Sequence, residues 1–245
     1  MSRTHGQTPS ASPPASGSLS EAAERLPALY GALRSVLRPV LRRFFDFRVS
    51  GLEHLPHNGP FIVVANHANY LDGVVLGAAL PRKIVFLVMP RVYHATPLHP
   101  YFHRHIGSIP IELARPDPGA IRCALRVLED GGVVGIFPEG PFGRDGQLVH
   151  GQPGAALVAL RAQAPVVPAA ITGTFQALVA RRWYIPRRVP LRVSFGRALR
   201  FTSPRRPLTQ RVREDVTSRI MAEIAALLAD EPRLPAPVTT PAGGP

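Results

Sequence analysis

The chain is short of three things that often declare a protein's chemistry. It has one cysteine, Cys123, which excludes an internal disulfide. That residue falls within the helical stretch GAIRCALRVLED, where it reads as a small apolar packing residue and not as a nucleophile. Lysine is nearly absent, Lys83 being the single example among 29 basic residues, and charged residues are only 18% of the chain. Long apolar runs are missing too. No segment approaches the roughly 18 consecutive apolar residues of a membrane-spanning helix, and the N-terminus lacks the apolar core of a secretory signal. A protein of this kind working on a membrane is expected to do so from one face.

What the chain does have is 45% hydrophobic residues over 245 positions, enough for one sizeable α/β domain with a real core. Basic residues outnumber acidic ones 29 to 16, for a formal charge of +13. Such an excess favours anionic partners, either nucleic acid or a membrane surface carrying anionic lipid. Residues 1–19, rich in Ser, Pro, Thr, Gly and Ala, read as a disordered tail, and so do residues 231–245.

Residues 20–46 read as an amphipathic helix. Leu26, Leu29, Tyr30, Leu33, Val36, Leu37, Val40, Leu41, Phe44 and Phe45 recur at spacings of three and four. Arg34, Arg38 and Arg42 recur every four residues on another face, beside Arg43. A basic amphipathic helix of this type can lie in a membrane interface, and Pro39 is expected to kink it. From residue 47 to 230 short apolar strands alternate with helices. The strands are at 47–51, 61–66, 83–89, 107–111, 132–137, 165–171 and 191–196, and the helices at 72–80, 118–129, 154–163 and 209–229. The expected fold class is α/β: a single domain with a largely buried mixed sheet flanked by helices, preceded by the N-terminal amphipathic helix.

The strand FIVVAN runs directly into His67, and Asp72 opens the following helix. A buried strand delivers a histidine at its carboxyl end to the rim of the sheet, where α/β folds bind ligands. A carboxylate beside an imidazole fixes its tautomer and raises its affinity for a proton. Alone, the H-x-x-x-x-D spacing is a weak signal, a surface histidine with a helix cap being its more common explanation. A second rim element is Phe137-Pro138-Glu139-Gly140, which follows the strand GVVGIF.

The order NHANYLD, FPEG, GAALVAL and PVVPAAITG resembles the glycerolipid acyltransferases of the lysophosphatidate-acyltransferase type, over roughly residues 47–200. The resemblance implies an O-acyltransferase of phospholipid biosynthesis, peripheral on the cytoplasmic face of the cell membrane. Its donor would be acyl-CoA or acyl carrier protein, as co-substrate and not cofactor, and its acceptor a lysophospholipid such as 1-acylglycerol-3-phosphate. His67 would be the general base and Asp72 its orienting partner. Glu139 and Gly140 would belong to the acceptor-binding site, with Arg115 and Arg144 as nearby cations. No metal and no nucleic-acid partner is implied.

Three positions depart from the family pattern. Phe142 stands for an arginine, within Pro141-Phe142-Gly143 in place of threonine, arginine and serine. Leu113 stands for a second arginine and Gln152 for a lysine. Arginine recognises phosphate through planar, two-pronged donation, so these losses raise an alternative acceptor without a phosphomonoester, such as an amino-acid lipid or another lipid alcohol. An inactive lipid-binding homologue is the reading from outside the enzymes. Of the remaining candidates, His94, His99, His103 and His105 read as solvent-facing or packed histidines and not as metal ligands. Arg181-Arg182-Trp183-Tyr184 with Arg187 and Arg188 suits a membrane interface better than single-stranded nucleic acid.

Overall fold

The structure is a computed structural model that describes residues 27–88, 108–111, 117–140, 145–178, 186–202 and 208–232. Among the described residues seven strands form one sheet: β1 (Arg48–Ser50), β2 (Phe61–Ala65), β3 (Ile84–Val88), β4 (Ile109–Pro110), β5 (Val133–Ile136), β6 (Val166–Thr172) and β7 (Arg192–Phe195). Their spatial order is β1-β7-β6-β2-β5-β3-β4. β6, β2, β5, β3 and β4 run parallel, whereas β7 pairs antiparallel with β6 and parallel with β1. The sheet is therefore mixed, as expected for the fold class, its antiparallel pair being β6 with β7.

β2 lies at the centre because its sequence tolerates burial on both faces. Every residue of FIVVA is buried. Phe61, Val63 and Ala65 join one core cluster, while Ile62 and Val64 join the other. The period-two alternation of a strand sends successive side chains to opposite faces. One face is covered by α1 (Pro27–Phe45) and α2 (Leu71–Ala79), through Leu41, Val75, Leu76, Ala78 and Ala79. The other is covered by α3 (Pro118–Glu129), α4 (Gly154–Ala162) and α6 (Gln210–Asp230), through residues that include Ala124, Leu128, Val158, Ile220 and Ile224. Each fully buried Ile, Leu or Val of these layers is worth about 1.5–3 kcal/mol relative to exposure. Asp117 caps α3 by accepting the Ala120 N–H at 3.0 Å, with Pro118 at the first turn. Thr209 caps α6 in the same manner on Val212 N–H.

The N-terminal helix differs from its sequence-based expectation. Its apolar face is divided between core and solvent. Tyr30, Leu37 and Phe45 pack on the core beside buried Leu41, while Leu33, Val36, Val40 and Phe44 stand exposed. At 100° per residue the two sets lie on adjacent sectors of one broad apolar arc. The helix continues through Pro39, which lies on its exposed side. Residues 1–26 and 233–245 lie outside the described residues, whereas Glu231, expected in the C-terminal tail, is ordered against β7, where its carboxylate accepts from the Ser194 hydroxyl.

α1 spans the sheet from edge to edge. At its start the Tyr30 hydroxyl donates to Gly77 O near the end of α2, at 3.1 Å. At its end Phe45 O accepts the Leu191 N–H at 2.9 Å, next to β7. Arg192 of β7 stands opposite Thr172, the last residue of β6. The C-terminus of α1 therefore lies at the same sheet edge where β2 and β6 end. Four residues of helix α5 (Thr174–Ala177) follow β6 through Gly173. Gly173 has φ +88°, and a Cβ there would sit 2.0 Å from Pro190 O. Gly173→Ala is thus expected to combine backbone strain with a main-chain clash and to lower unfolding stability by more than about 2 kcal/mol, measured by denaturant titration.

Candidate active site

The carboxyl ends of β2, β5 and β6 meet at one edge, because these three strands are adjacent and parallel. β2 delivers Asn66 and His67, β5 delivers Phe137 to Gly140, and β6 leads to Gly173 and Thr174. The side chain of Asn66 closes a two-way pair with Ile171, donating to its O at 2.9 Å and accepting its N–H at 2.7 Å. That pair takes up the backbone groups of β6 just where β2 stops being a strand. Asn69 Nδ2 donates to Thr174 O at 2.6 Å, and Asn69 Oδ1 accepts the Leu71 N–H at 2.8 Å, turning the chain into α2.

Asp72 sits in the first turn of α2 and is fully buried. Its carboxylate reaches back to the loop instead of capping its own helix from the N-cap position, which is Tyr70. Oδ2 accepts the Ala68 N–H at 2.6 Å, the Asn69 N–H at 2.7 Å and a contact from His67 Nδ1 at 2.8 Å. The loop between strand and helix thereby achieves what a helical spacing of five cannot. An acceptor oxygen opposite Nδ1 places the proton on that nitrogen, so the imidazole lone pair belongs to Nε2. The His67 side chain is 13% exposed.

Two aromatic rings fix the plane of the imidazole. Phe137 stacks on His67 with centroids 4.1 Å apart and an interplanar angle of 13°. Phe86 lies parallel behind Phe137 at 5.7 Å and 2°. Gly135 makes room for this column, since a Cβ there would come within 2.7 Å of the Phe86 ring.

Glu139 is 4% exposed, and each of its oxygens is engaged by backbone. Oε1 accepts the His67 N–H at 2.7 Å and Oε2 accepts the Val149 N–H at 2.9 Å. Burial pushes its carboxyl up from the ordinary range, opposed by these two hydrogen bonds and by His67. The turn is closed by Gly140 N–H donating to Phe137 O at 3.2 Å, and Gly140 adopts φ +76°, which favours glycine.

His67, Asp72, Glu139 and Gly140 are therefore brought together. Arg115 and Arg144 lie outside the described residues, as do Leu113, Phe142, the four histidines at 94–105 and residues 181–184. Gln152 is exposed, its N–H bound to Pro138 O at 2.7 Å. Arg187 and Arg188 are exposed, with the Arg188 guanidinium 4.9 Å from the Phe44 ring centroid. Sequence reasoning missed Asn66, Asn69, Phe137 and Phe86. Two asparagines flanking His67 at the end of an apolar strand were the available signal, because an amide side chain there has to find partners.

These features define an α/β protein with a histidine–carboxylate pair at the carboxyl edge of its parallel strands. The Acyltransferase family model matches residues 46–172, and the chain belongs to that family. It is 27% identical over 146 residues to the 1-acyl-sn-glycerol-3-phosphate acyltransferase of Bacillus subtilis, covering 59% of this chain and 72% of that one. It is 29% identical over 136 residues to a chloroplastic 1-acyl-sn-glycerol-3-phosphate acyltransferase of Arabidopsis thaliana, covering 54% of this chain but only 37% of the plant protein. The fold matches the crystal structure of the 1-acyl-sn-glycerophosphate acyltransferase PlsC of Thermotoga maritima, with a TM-score of 0.64, 20% identity and 89% of each chain covered.

Glu139 also generates a stability prediction. A carboxyl raised in the folded state binds its proton more tightly there than in the unfolded chain, so its contribution is fully present below the unfolded pKa and declines as pH rises through the folded one. The stability difference between wild type and Glu139→Leu, followed by denaturant titration, should therefore shift against wild type as pH rises out of the ordinary carboxylate range. A difference that moved the opposite way would mean that the two hydrogen bonds outweigh burial.

Proposed function

We propose that the chain transfers a fatty-acyl group from an acyl thioester to the hydroxyl of a lysophospholipid, with 1-acylglycerol-3-phosphate as the acceptor. The observation that carries this reading is the 2.8 Å contact between His67 Nδ1 and Asp72 Oδ2 at the edge of the sheet. The named activities of the Bacillus and Arabidopsis relatives support the choice of acceptor. His67 Nε2 takes the acceptor's proton as its oxygen attacks the thioester carbonyl. Asp72 keeps the imidazole in the correct tautomer and stabilises the imidazolium. The tetrahedral intermediate then expels the thiolate, which takes up the proton held by His67. The ester C–O bond forms, the C–S bond breaks, and the base is restored. Because a thioester already carries a good leaving group, the step calls for no enzyme nucleophile. Acyl-CoA and acyl carrier protein both meet this requirement, and no cofactor enters the balance.

Membrane association at the cytoplasmic face belongs to the same proposal. Leu33, Val36, Val40 and Phe44 form an exposed stripe along α1, and exposed Arg42 and Arg43 flank its end. Tyr70 and Val74, both exposed, stand on the first turns of α2 beside the site. A helix with apolar groups outward and arginines at its margin suits an interface carrying anionic lipid. Among the described residues no helix is long and apolar enough to cross a membrane.

A second acceptor class is favoured by a specific observation: Leu113, Phe142 and Gln152 stand where the family pattern carries cations. Purified wild type and His67→Ala would be supplied with labelled acyl-CoA or acyl carrier protein and a panel of lysophosphatidate, lysophosphatidylcholine, lysophosphatidylglycerol and a lyso amino-acid lipid. Transfer to lysophosphatidate, reduced about 10²–10⁴-fold in the variant, is expected. Transfer to another member of the panel alone would reassign the acceptor and keep His67 as base. Wild-type rates in the variant would remove the catalytic reading of His67.

A further inference from the structure

We infer that Glu139 is a positioning residue for His67 and does not bind the acceptor: the Phe-Pro-Glu-Gly turn grips the histidine by its peptide N–H and by its ring. This inference rests on the reading of His67 as the base. The resemblance places this glutamate in the acceptor site, yet its carboxylate is turned inward. It is 4% exposed, with Oε1 on His67 N–H and Oε2 on Val149 N–H. Two residues earlier in the same turn, Phe137 lies flat against the His67 imidazole.

The three restraints on His67 act on different degrees of freedom. Asp72 fixes Nδ1 and with it the tautomer. Phe137 fixes the ring plane, with Phe86 stacked behind it. Glu139 fixes the backbone at the point where β2 ends and the chain turns toward α2. Without that third restraint the His67 peptide could tilt, and Nε2 would swing through an arc even while Nδ1 stayed on Asp72. Misplacement of a reacting atom by about 1 Å costs on the order of 10²-fold in rate.

Only a carboxylate suits this position. Two backbone N–H groups point at two different oxygens, so the side chain has to offer two acceptors and no donor. Glutamine supplies one acceptor and turns its amide donor against the other N–H. The bond to Val149 also fastens the chain after the turn to the turn itself, an attachment repeated by Gln152 N–H on Pro138 O. Residues 138–140 and 149–152 are thereby fastened together at the base of the histidine.

The test compares wild type, Glu139→Gln, Glu139→Asp, Phe137→Leu and His67→Ala in steady-state acyl transfer, with thermal melts confirming that each variant is folded. Glu139→Gln is expected to lower kcat about 10- to 100-fold while the acceptor KM stays within about twofold. Glu139→Asp, which keeps two acceptors on a shorter stem, should recover part of that loss. Phe137→Leu should likewise lower kcat without raising KM, and it keeps the test open if Glu139→Gln does not fold. In nitrogen-15 NMR the imidazole signals of His67 should broaden or shift in Glu139→Gln. An acceptor KM raised tenfold or more at unchanged kcat would overturn the inference and return Glu139 to the acceptor site. Full activity in His67→Ala would instead remove the base reading, and the inference with it.

Discussion

A buried carboxylate oxygen holds this site together. Asp72 is withdrawn entirely from solvent, and an isolated ionised carboxylate there would cost several kcal/mol. Three N–H groups converge on its Oδ2, two from the loop backbone and one from His67. Hydrogen bonds to a charged group contribute roughly 1.5–3 kcal/mol each, so three of them are of the order needed to offset that burial. The same bonds fold the five-residue turn between β2 and α2 into one shape. The shape of the loop and the orientation of the imidazole are consequently a single structural fact.

The rest of the architecture supplies the setting in which that oxygen can be buried. β2 is flanked by β5 and β6, all parallel, so three strand ends deliver their following residues to one edge. Asn66, Asn69 and Glu139 then satisfy backbone groups that would otherwise be stranded as the strands finish. The polar side chains around His67 are thus mostly spent on main chain, which gives the histidine a rigid base. Helix α1 ends at the same edge, so Phe44 and the arginines of its last turn lie on the side of the sheet where His67 stands.

Much of this was legible beforehand, for identifiable reasons. Strands such as FIVVA and VVPAAIT are continuous apolar runs, and such runs mark strands covered on both faces. Helices α3 and α6 carry both a repeating apolar face and a capping residue, and their limits fall within a residue of expectation. The amphipathic helix was legible as a helix but not in the division of its apolar arc. Periodicity gives the angle of each residue about the axis and cannot say which sector meets the core.

The order of residues by itself determined the α/β class and the limits of most elements. These are local properties, set by side-chain periodicity and by the turn chemistry of Pro, Gly and Asn. Tertiary structure alone decided that Asp72 bends back onto its own loop, that Phe137 stacks on His67 and that Glu139 faces inward to two amides. The first is the shape of one short loop, and the other two depend on a distance between groups as far apart in sequence as 67 and 139, which is set by which strands lie side by side.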